Sequence, residues 1–256
     1  MNIWEAIALG IMQGLTEFLP VSSSGHLVML QNILGVQGDL LFFDVMLHIG
    51  TLLAVFAVFF RDILGLFKPP FKTIGLLILA TLPAGLVMLL FSDQIEALFE
   101  GRFLWIGFLI TAVMLLVTEY VGRKYPRNNP LDVKVSLIMG VSQAVAVVPG
   151  ISRSGATISG GVYSGVQRET VAKFSFLMSI PVILGSGFVE IIRVKNWNSI
   201  PVYCVLAGMA AAAISGFLAI KLMLKLIQKC DYKWFSLYLF VLALFVCLNE
   251  YVLFLW

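Results

Sequence analysis

The sequence predicts an all-α integral membrane protein built as an inverted-topology repeat, with about six full spans plus two broken or re-entrant helix pairs. Three observations predict it. Of 256 residues, 60% are hydrophobic and 12% charged, about half the charge fraction of a soluble domain, and the mean hydropathy is +1.00. Apolar runs long enough to cross a bilayer recur along the chain. Two polar stretches, Ser22-Ser23-Ser24-Gly25-His26 and Ser152-Arg153-Ser154-Gly155-Ala156-Thr157, interrupt it 130 positions apart.

The first segment, about 1–35, is apolar but broken by Pro20, Gly25 and the serines, so its helices are short. Three spans follow, near Val45–Phe60, Ile74–Phe91 and Phe103–Thr118. A second broken segment covers about 135–166, and three further spans lie near Phe174–Val189, Ile200–Ile220 and Trp234–Asn249. The two broken segments match at a fixed offset: Gly10, Gln13, Val21 and Ser22 answer to Gly140, Gln143, Ile151 and Ser152. Pro20 and Pro149 are one residue out of register, and Phe43–Ile49 echoes Phe174–Ile180. The expected organisation is one polytopic membrane domain, with repeat one at about 1–125 and repeat two at about 130–256.

Charge sets orientation. The connectors Arg61–Thr73, Gly122–Lys134 and Lys221–Lys233 are rich in lysine and arginine, whereas Ser92–Arg102 carries Asp93, Glu96 and Glu100 against one arginine. The positive-inside rule places the first three in the cytoplasm and the last outside. The Arg193–Ser199 connector then falls outside despite Arg193 and Lys195. Segment 1–35 must begin and end outside, and segment 135–166 must begin and end inside, so their tips meet near the midplane. That is where such repeats keep their sites. A net charge of +3 is too small to argue for nucleic acid. Cys204, Cys230 and Cys247 show no paired spacing and read as packing residues. The N-terminus lacks the basic region of a signal peptide, so the chain is expected to insert as it stands.

A serine-rich run after a proline, followed by apolar sequence, reads as a loop feeding a helix start. Serines there cap free amides, and the exposed N–H groups and helix dipole attract phosphate. Gly25 and Gly155 let backbone approach closely. Ser22, Ser24, Ser152, Ser154 and Thr157 offer hydrogen bonds or caps, and Arg153 adds a fork matched to phosphate oxygens. A bare capping role for both stretches leaves Arg153 unexplained. Gln13 and Glu17, four apart, share a helix face, and a carboxylate within a membrane segment is a functional candidate by default. Hydroxyl, imidazole, carboxylate and guanidinium together suit phosphoryl transfer, which depends mostly on positioning and neutralising oxygen charge. Glu17 can hold Mg²⁺ or Ca²⁺, hard cations that prefer such oxygens. His48 either lines this site or bonds a broken-helix carbonyl, the second being favoured. Asp44 is read as site or loop edge alike, and Glu119, Glu190 and Glu250 are expected to be interfacial.

Gln13-Gly-Leu-Thr-Glu17-Phe-Leu-Pro-Val-Ser-Ser-Ser-Gly-His26 resembles the glutamate-rich motif of bacterial undecaprenyl-diphosphate phosphatases, the bacitracin-resistance family, and Pro149-Gly-Ile-Ser-Arg153-Ser-Gly-Ala-Thr157 resembles its second signature. The similarity covers nearly the whole chain. It implies a multi-pass enzyme of the bacterial inner membrane, with its site open to the outer, periplasmic face. Such an enzyme releases phosphate from a prenyl diphosphate lipid, recycles the carrier for peptidoglycan synthesis, and can form a homodimer. It further implies Glu17 as metal-binding acid, Arg153 on the diphosphate, Ser23 as nucleophile and His26 as its base. Gln13 stands where family members carry Glu or Gln. Direct attack by water remains the alternative to a phosphoserine, and a lipid-phosphate flippase remains the alternative to an enzyme.

The charge bias makes a direct prediction. In a background without Cys204, Cys230 and Cys247, an impermeant thiol reagent applied to intact cells should label Ala97→Cys and spare Arg127→Cys. Equal labelling refutes the inverted repeat.

Overall fold

The computed structural model describes residues 1–36, 38, 40–100, 103–125, 128–193, 200–229 and 231–253. Within them the chain forms α1 (Ile3–Phe18), α2 (Ser23–Ile33), α3 (Leu41–Val58), α4 (Phe60–Leu66), α5 (Lys72–Glu100), α6 (Leu104–Lys124), α7 (Val133–Val145), α8 (Arg153–Tyr163), α9 (Arg168–Arg193), α10 (Val202–Lys229) and α11 (Tyr232–Leu248), closed by a π-turn at Asn249–Leu253. There is no strand among the described residues. Arg102, Arg127, Lys195 and Cys230, used above for orientation and packing, lie outside them.

Among the described residues six helices are long and apolar enough to cross a membrane: Leu41–Val58, Lys72–Ser92, Leu104–Lys124, Arg168–Ile192, Val202–Ile227 and Tyr232–Val252. They coincide with the six apolar runs, each reaching further at one end or both, while the helices matching Val45–Phe60, Phe103–Thr118 and Ile200–Ile220 end or begin slightly short of those runs. The span read from Phe174 starts at Arg168, because its first turns carry charges that pair with one another, as in the 3.3 Å Lys173–Glu169 ion pair. The span read from Val45 starts at Leu41 and takes Asp44 into its first turn.

The four remaining longer helices form two hairpins. At 11 residues each, α2 and α8 reach roughly 16 Å, about half a hydrocarbon core. Their lengths follow from local signals. Asn2 and Glu5 form a capping box at the start of α1, and Pro20 stops its continuation. Asp132 caps α7 by accepting from the Val135 amide, and Ser22 and Ser152 cap α2 and α8. Gly150, at φ 82, makes the turn into α8 that a side chain would resist.

Packing fixes the sense of each hairpin. α1 runs parallel to α10, with Gly10 against Gly208, Gly14 against Ala212, and Gly216 beside Phe18. α3 also runs parallel to α10, since Phe43 and Leu47 meet Gly208 while Ala54 meets Gly216. Gln31, at the end of α2, donates to Asp44 at the start of α3 (2.8 Å). The first hairpin therefore enters and leaves at the end where α3 and α10 begin. At the other end, the Tyr232 amide that opens α11 donates to Glu119 near the end of α6 (2.9 Å). Asn129, ahead of α7, donates its amide to Gly165, after α8 (3.0 Å), and Val162 and Arg168 flank Gly122 of α6. The second hairpin thus enters and leaves at that opposite end. Pairing is reciprocal: α1 packs on α10, and α7 packs on α5, where Gly140 lies against Ala80.

Glu119 lies near the end of its span, as expected, but does not snorkel. It is buried and accepts from Arg123, Arg168 and the Tyr232 amide, joining α6, α9 and α11.

A Cβ on Gly10 would overlap the Gly208 carbonyl, whereas one on Gly75 would meet nothing within 4 Å. Lipid offers no hydrophobic drive for helix association, so close backbone packing is what α1 and α10 rely on. Gly10→Val should cost about 1–3 kcal/mol, as overpacking does, read as a lower Tm in detergent, and Gly75→Ala should leave the Tm unchanged. A stable Gly10→Val protein would show that the α1–α10 contact is not close.

Candidate active site

The tips of the two hairpins meet. Ser154 Oγ, in the first turn of α8, donates to the carbonyl of Leu19 at the end of α1 (2.9 Å), and Gly25 of α2 lies against Gly150. The N-termini of α2 and α8 are thereby brought together with the C-terminus of α1. Free amides and both positive helix ends face one small region.

Glu17 sits at its centre, with 7% of its surface exposed. Arg153 Nη2 donates to Oε1 (2.6 Å). Ser23 Oγ donates to Oε2 (2.6 Å), and so does Gln13 Nε2 (3.0 Å). His48 Nε2 stands 3.9 Å from the same oxygen, its Nδ1 bonded to the Asp44 carbonyl at 2.8 Å. The second guanidinium nitrogen of Arg153 donates to the Ser175 carbonyl (3.2 Å), and Thr157 and Ser175 share a hydrogen bond of 2.6 Å. A carboxylate buried in a membrane protein must be compensated. Here one cation and two neutral donors do so, and the cation comes from the other half of the chain.

The repeat is visible in detail. Ser22 Oγ accepts from the Gly25 amide and Ser152 Oγ from the Gly155 amide, each from the residue three positions on. Gln13 and Gln143 are both buried, and in each the side-chain oxygen has no hydrogen-bond partner. Ser24 is half-buried in the first turn of α2. Ser152 Oγ and Ser154 Oγ are 3.2 Å apart.

His26 is placed differently from the sequence expectation. Nδ1 bonds the Ser22 carbonyl (2.7 Å) and Nε2 the hydroxyl of Tyr238 (2.7 Å), so both ring nitrogens are engaged, while the Ser23 hydroxyl is directed to Glu17. His48 faces Glu17, as the first reading offered for it has it, while its carbonyl partner is Asp44 of its own continuous helix α3 and not a broken-helix carbonyl. Sequence reasoning missed Ser175 and Tyr238. The echo of Phe43–Ile49 in Phe174–Ile180 marked the segment holding Ser175. Tyr238 lies 212 positions from His26 in an ordinary apolar span and gave no signal.

Oxygen donors that suit a hard cation are few. Among the described residues no three His, Cys, Asp or Glu side chains are grouped to hold a metal. Glu17 and the unpartnered Gln13 Oε1 are adjacent, however. One carboxylate and one amide oxygen fit a Mg²⁺-type ion that takes its remaining ligands from substrate phosphate and water.

Fold and site together define a polytopic α-helical membrane protein with a buried centre where a carboxylate, a hydroxyl and a guanidinium meet. The chain matches the family of the bacitracin resistance protein BacA over residues 6–245 and belongs to it. It is 43% identical over 252 residues to the undecaprenyl-diphosphatase of Carboxydothermus hydrogenoformans, with 95% of each chain covered. It is 40% identical over 273 residues to that of Methanobrevibacter smithii, with 98% of each covered. Against that of Christiangramia forsetii it is 41% identical over 268 residues, covering 98% of this chain and 99% of the relative.

The Glu17–Arg153 pair makes a stability prediction. Arg153→Met leaves the carboxylate buried without its cation and should cost about 3–5 kcal/mol. Adding Glu17→Gln should restore most of that loss, because the two sites are coupled. Thermal unfolding in detergent reads both, and a double variant as unstable as the single one would uncouple them.

Proposed function

We propose that this chain hydrolyses undecaprenyl diphosphate to undecaprenyl phosphate and inorganic phosphate, returning the lipid carrier to peptidoglycan synthesis and conferring bacitracin resistance. The observation that carries the reading is the convergence of Ser23 and Arg153, from opposite halves, on the two oxygens of Glu17. A hydroxyl nucleophile and a phosphate-matching cation stand on one carboxylate between two helix N-termini. A diphosphate fits that arrangement, since helix ends and a guanidinium bind phosphate oxygens.

On this reading the headgroup enters with its terminal phosphoryl against Ser23, and its oxygens share the Arg153 fork with Glu17. Ser23 Oγ attacks phosphorus as the bridging P–O bond breaks, and undecaprenyl phosphate leaves. The Ser23 hydrogen passes to the acceptor it already faces, Glu17 Oε2 at 2.6 Å. Water then attacks the phosphoserine and releases phosphate, with the serine regenerated. His26 lies in the same first turn of α2, and its Nε2 is the base that becomes available when the Tyr238 contact opens. Thr157, Ser154, Gly25 and Gly155 belong to the phosphate-binding surround, the two glycine amides being capped by Ser22 and Ser152. Glu17 and Gln13 Oε1 would hold a divalent cation, Mg²⁺ or Ca²⁺, which neutralises charge on phosphate oxygens when bound.

The hairpin bearing Glu17, Ser23 and His26 enters where α3 and α10 begin, away from the end lined by Arg123, Lys124 and Arg168. By the positive-inside rule the site opens to the outer face of a bacterial inner membrane. The repeat units near 1–125 and 130–256 form one membrane domain, and the family resemblance adds a homodimer.

The test is phosphate release from a prenyl diphosphate by purified protein in detergent with Mg²⁺ or Ca²⁺, which requires no second compartment, as lipid transport would. Ser23→Ala should lose essentially all turnover. Ser22→Ala and Ser24→Ala should lose about two- to tenfold, the worth of a cap or neutral hydrogen bond. Substantial release by Ser23→Ala with His26→Ala inactive would replace the phosphoserine by direct water attack.

A further inference from the structure

His26 has a contact that the reaction scheme leaves unused. Its Nδ1 is 2.7 Å from the Ser22 carbonyl oxygen. A carbonyl only accepts, so Nδ1 carries a hydrogen; the other neutral tautomer would set a bare ring nitrogen against a carbonyl. Ser22 is held at φ 70, a conformation rare for a residue with a Cβ, so this carbonyl is not free to turn elsewhere. The basic nitrogen is therefore Nε2, and the hydroxyl of Tyr238 on α11 sits on it at 2.7 Å. The Tyr238 ring lies nearly parallel to the imidazole, with centroids 5.7 Å apart at 15°, while Phe108 closes the other side edge-on at 5.3 Å. His26 is 1% exposed, but Tyr238 is 47% exposed and contributes little to core packing. Its hydroxyl, in an apolar span, finds a partner in His26.

We propose that Tyr238 is a positioning residue for His26: its hydroxyl donates to the Nε2 lone pair and so holds in place an imidazole whose Nδ1–H tautomer the Ser22 carbonyl sets. The inference rests on the phosphatase reading for its kinetic consequence and on geometry alone for the tautomer. Hydrogen bonding to one ring nitrogen is a general means of setting what the other can do. Here that bond ties α11, at the far end of the sequence, to the start of α2.

The chain contains two histidines, so ¹⁵N-histidine labelling gives a spectrum simple enough to assign by comparison with His48→Gln. In wild-type protein His26 should show one protonated and one bare ring nitrogen. Tyr238→Phe keeps the ring and its stacking and removes only the hydroxyl. Its Nε2 signal should shift while Nδ1 stays protonated, kcat for phosphate release should fall about two- to tenfold, and KM should hold, because Arg153 and the helix ends are untouched. Tyr238→Leu, which also removes the stacked ring, should fall further. Both readouts must move together. A lowered kcat with unchanged nitrogen signals would make Tyr238 a packing residue, and changed signals with unaltered kcat would remove it from the reaction; either overturns the proposal. Failure of wild-type protein to release phosphate would instead count against the functional reading, while the nitrogen spectra still decide the tautomer.

Discussion

The ion pair between Glu17 and Arg153 is the interaction on which the rest of the site depends. Neither charge is stable at this depth alone. Each is carried on a short helix that cannot cross the bilayer, and the two helices come from opposite halves of the chain. Closing a 2.6 Å contact between them requires both hairpins to stop near the same level, with their tips in register. The features that enforce this are local: Pro20 ends α1, Gly150 turns the chain into α8, and Ser22 and Ser152 start the returning helices. Around them, glycines on α1, α3, α7 and α10 bring backbones close enough to hold the hairpins without polar lipid-facing surface.

Repeated architecture with unequal chemistry explains how one site can hold several roles. Ser23 and Arg153 occupy equivalent positions, each the first residue after a capping serine. One copy supplies a hydroxyl and the other a cation, and both reach Glu17. The position equivalent to Glu17 in the second half is Val147, and that equivalent to His26 is Ala156. The second half therefore contributes the cation, and the first the carboxylate, hydroxyl and imidazole. A strictly symmetric pair would place two carboxylates or two guanidinium groups together, and like charges at such a distance would repel in a medium of low dielectric.

Much of this was legible in the chain because membranes make composition and periodicity unusually informative. Apolar runs, the charge bias between them and a polar motif repeated at offset 130 were enough for the spans and the opposed hairpins. Glu17, Ser23 and Arg153 were legible as a group because charge and hydroxyl clusters are rare in such a sequence. Span ends were less so: Arg168, Glu169 and Lys173 are charged, yet belong to α9 because pairing and proximity to the interface make them tolerable there. The partner of His26 was not legible at all. Tyr238 is one aromatic among many in an apolar helix, and only folding sets its hydroxyl on Nε2. Pairing Ser23 with Glu17 rather than His26 was likewise a matter of three-dimensional placement, since both lie within a few residues of it in sequence.

Charge balance links the architecture to the proposed chemistry. Without substrate, Glu17 and Arg153 cancel, leaving two helix N-termini worth roughly half a positive charge each. A diphosphate brings roughly two negative charges or more at neutral pH, which exceeds what those termini neutralise. On the proposed reading the headgroup shares the Arg153 fork with Glu17, which then stands with less compensation than it had. Glu17 and the unpartnered Gln13 oxygen would, on the same reading, hold a divalent cation that offsets that deficit. With Gln at position 13 rather than a second acid, the protein presents too little negative charge to hold such an ion strongly by itself. On that reading the cation would be held well only with the lipid diphosphate present, and between turnovers the Glu17–Arg153 pair keeps the buried charge compensated.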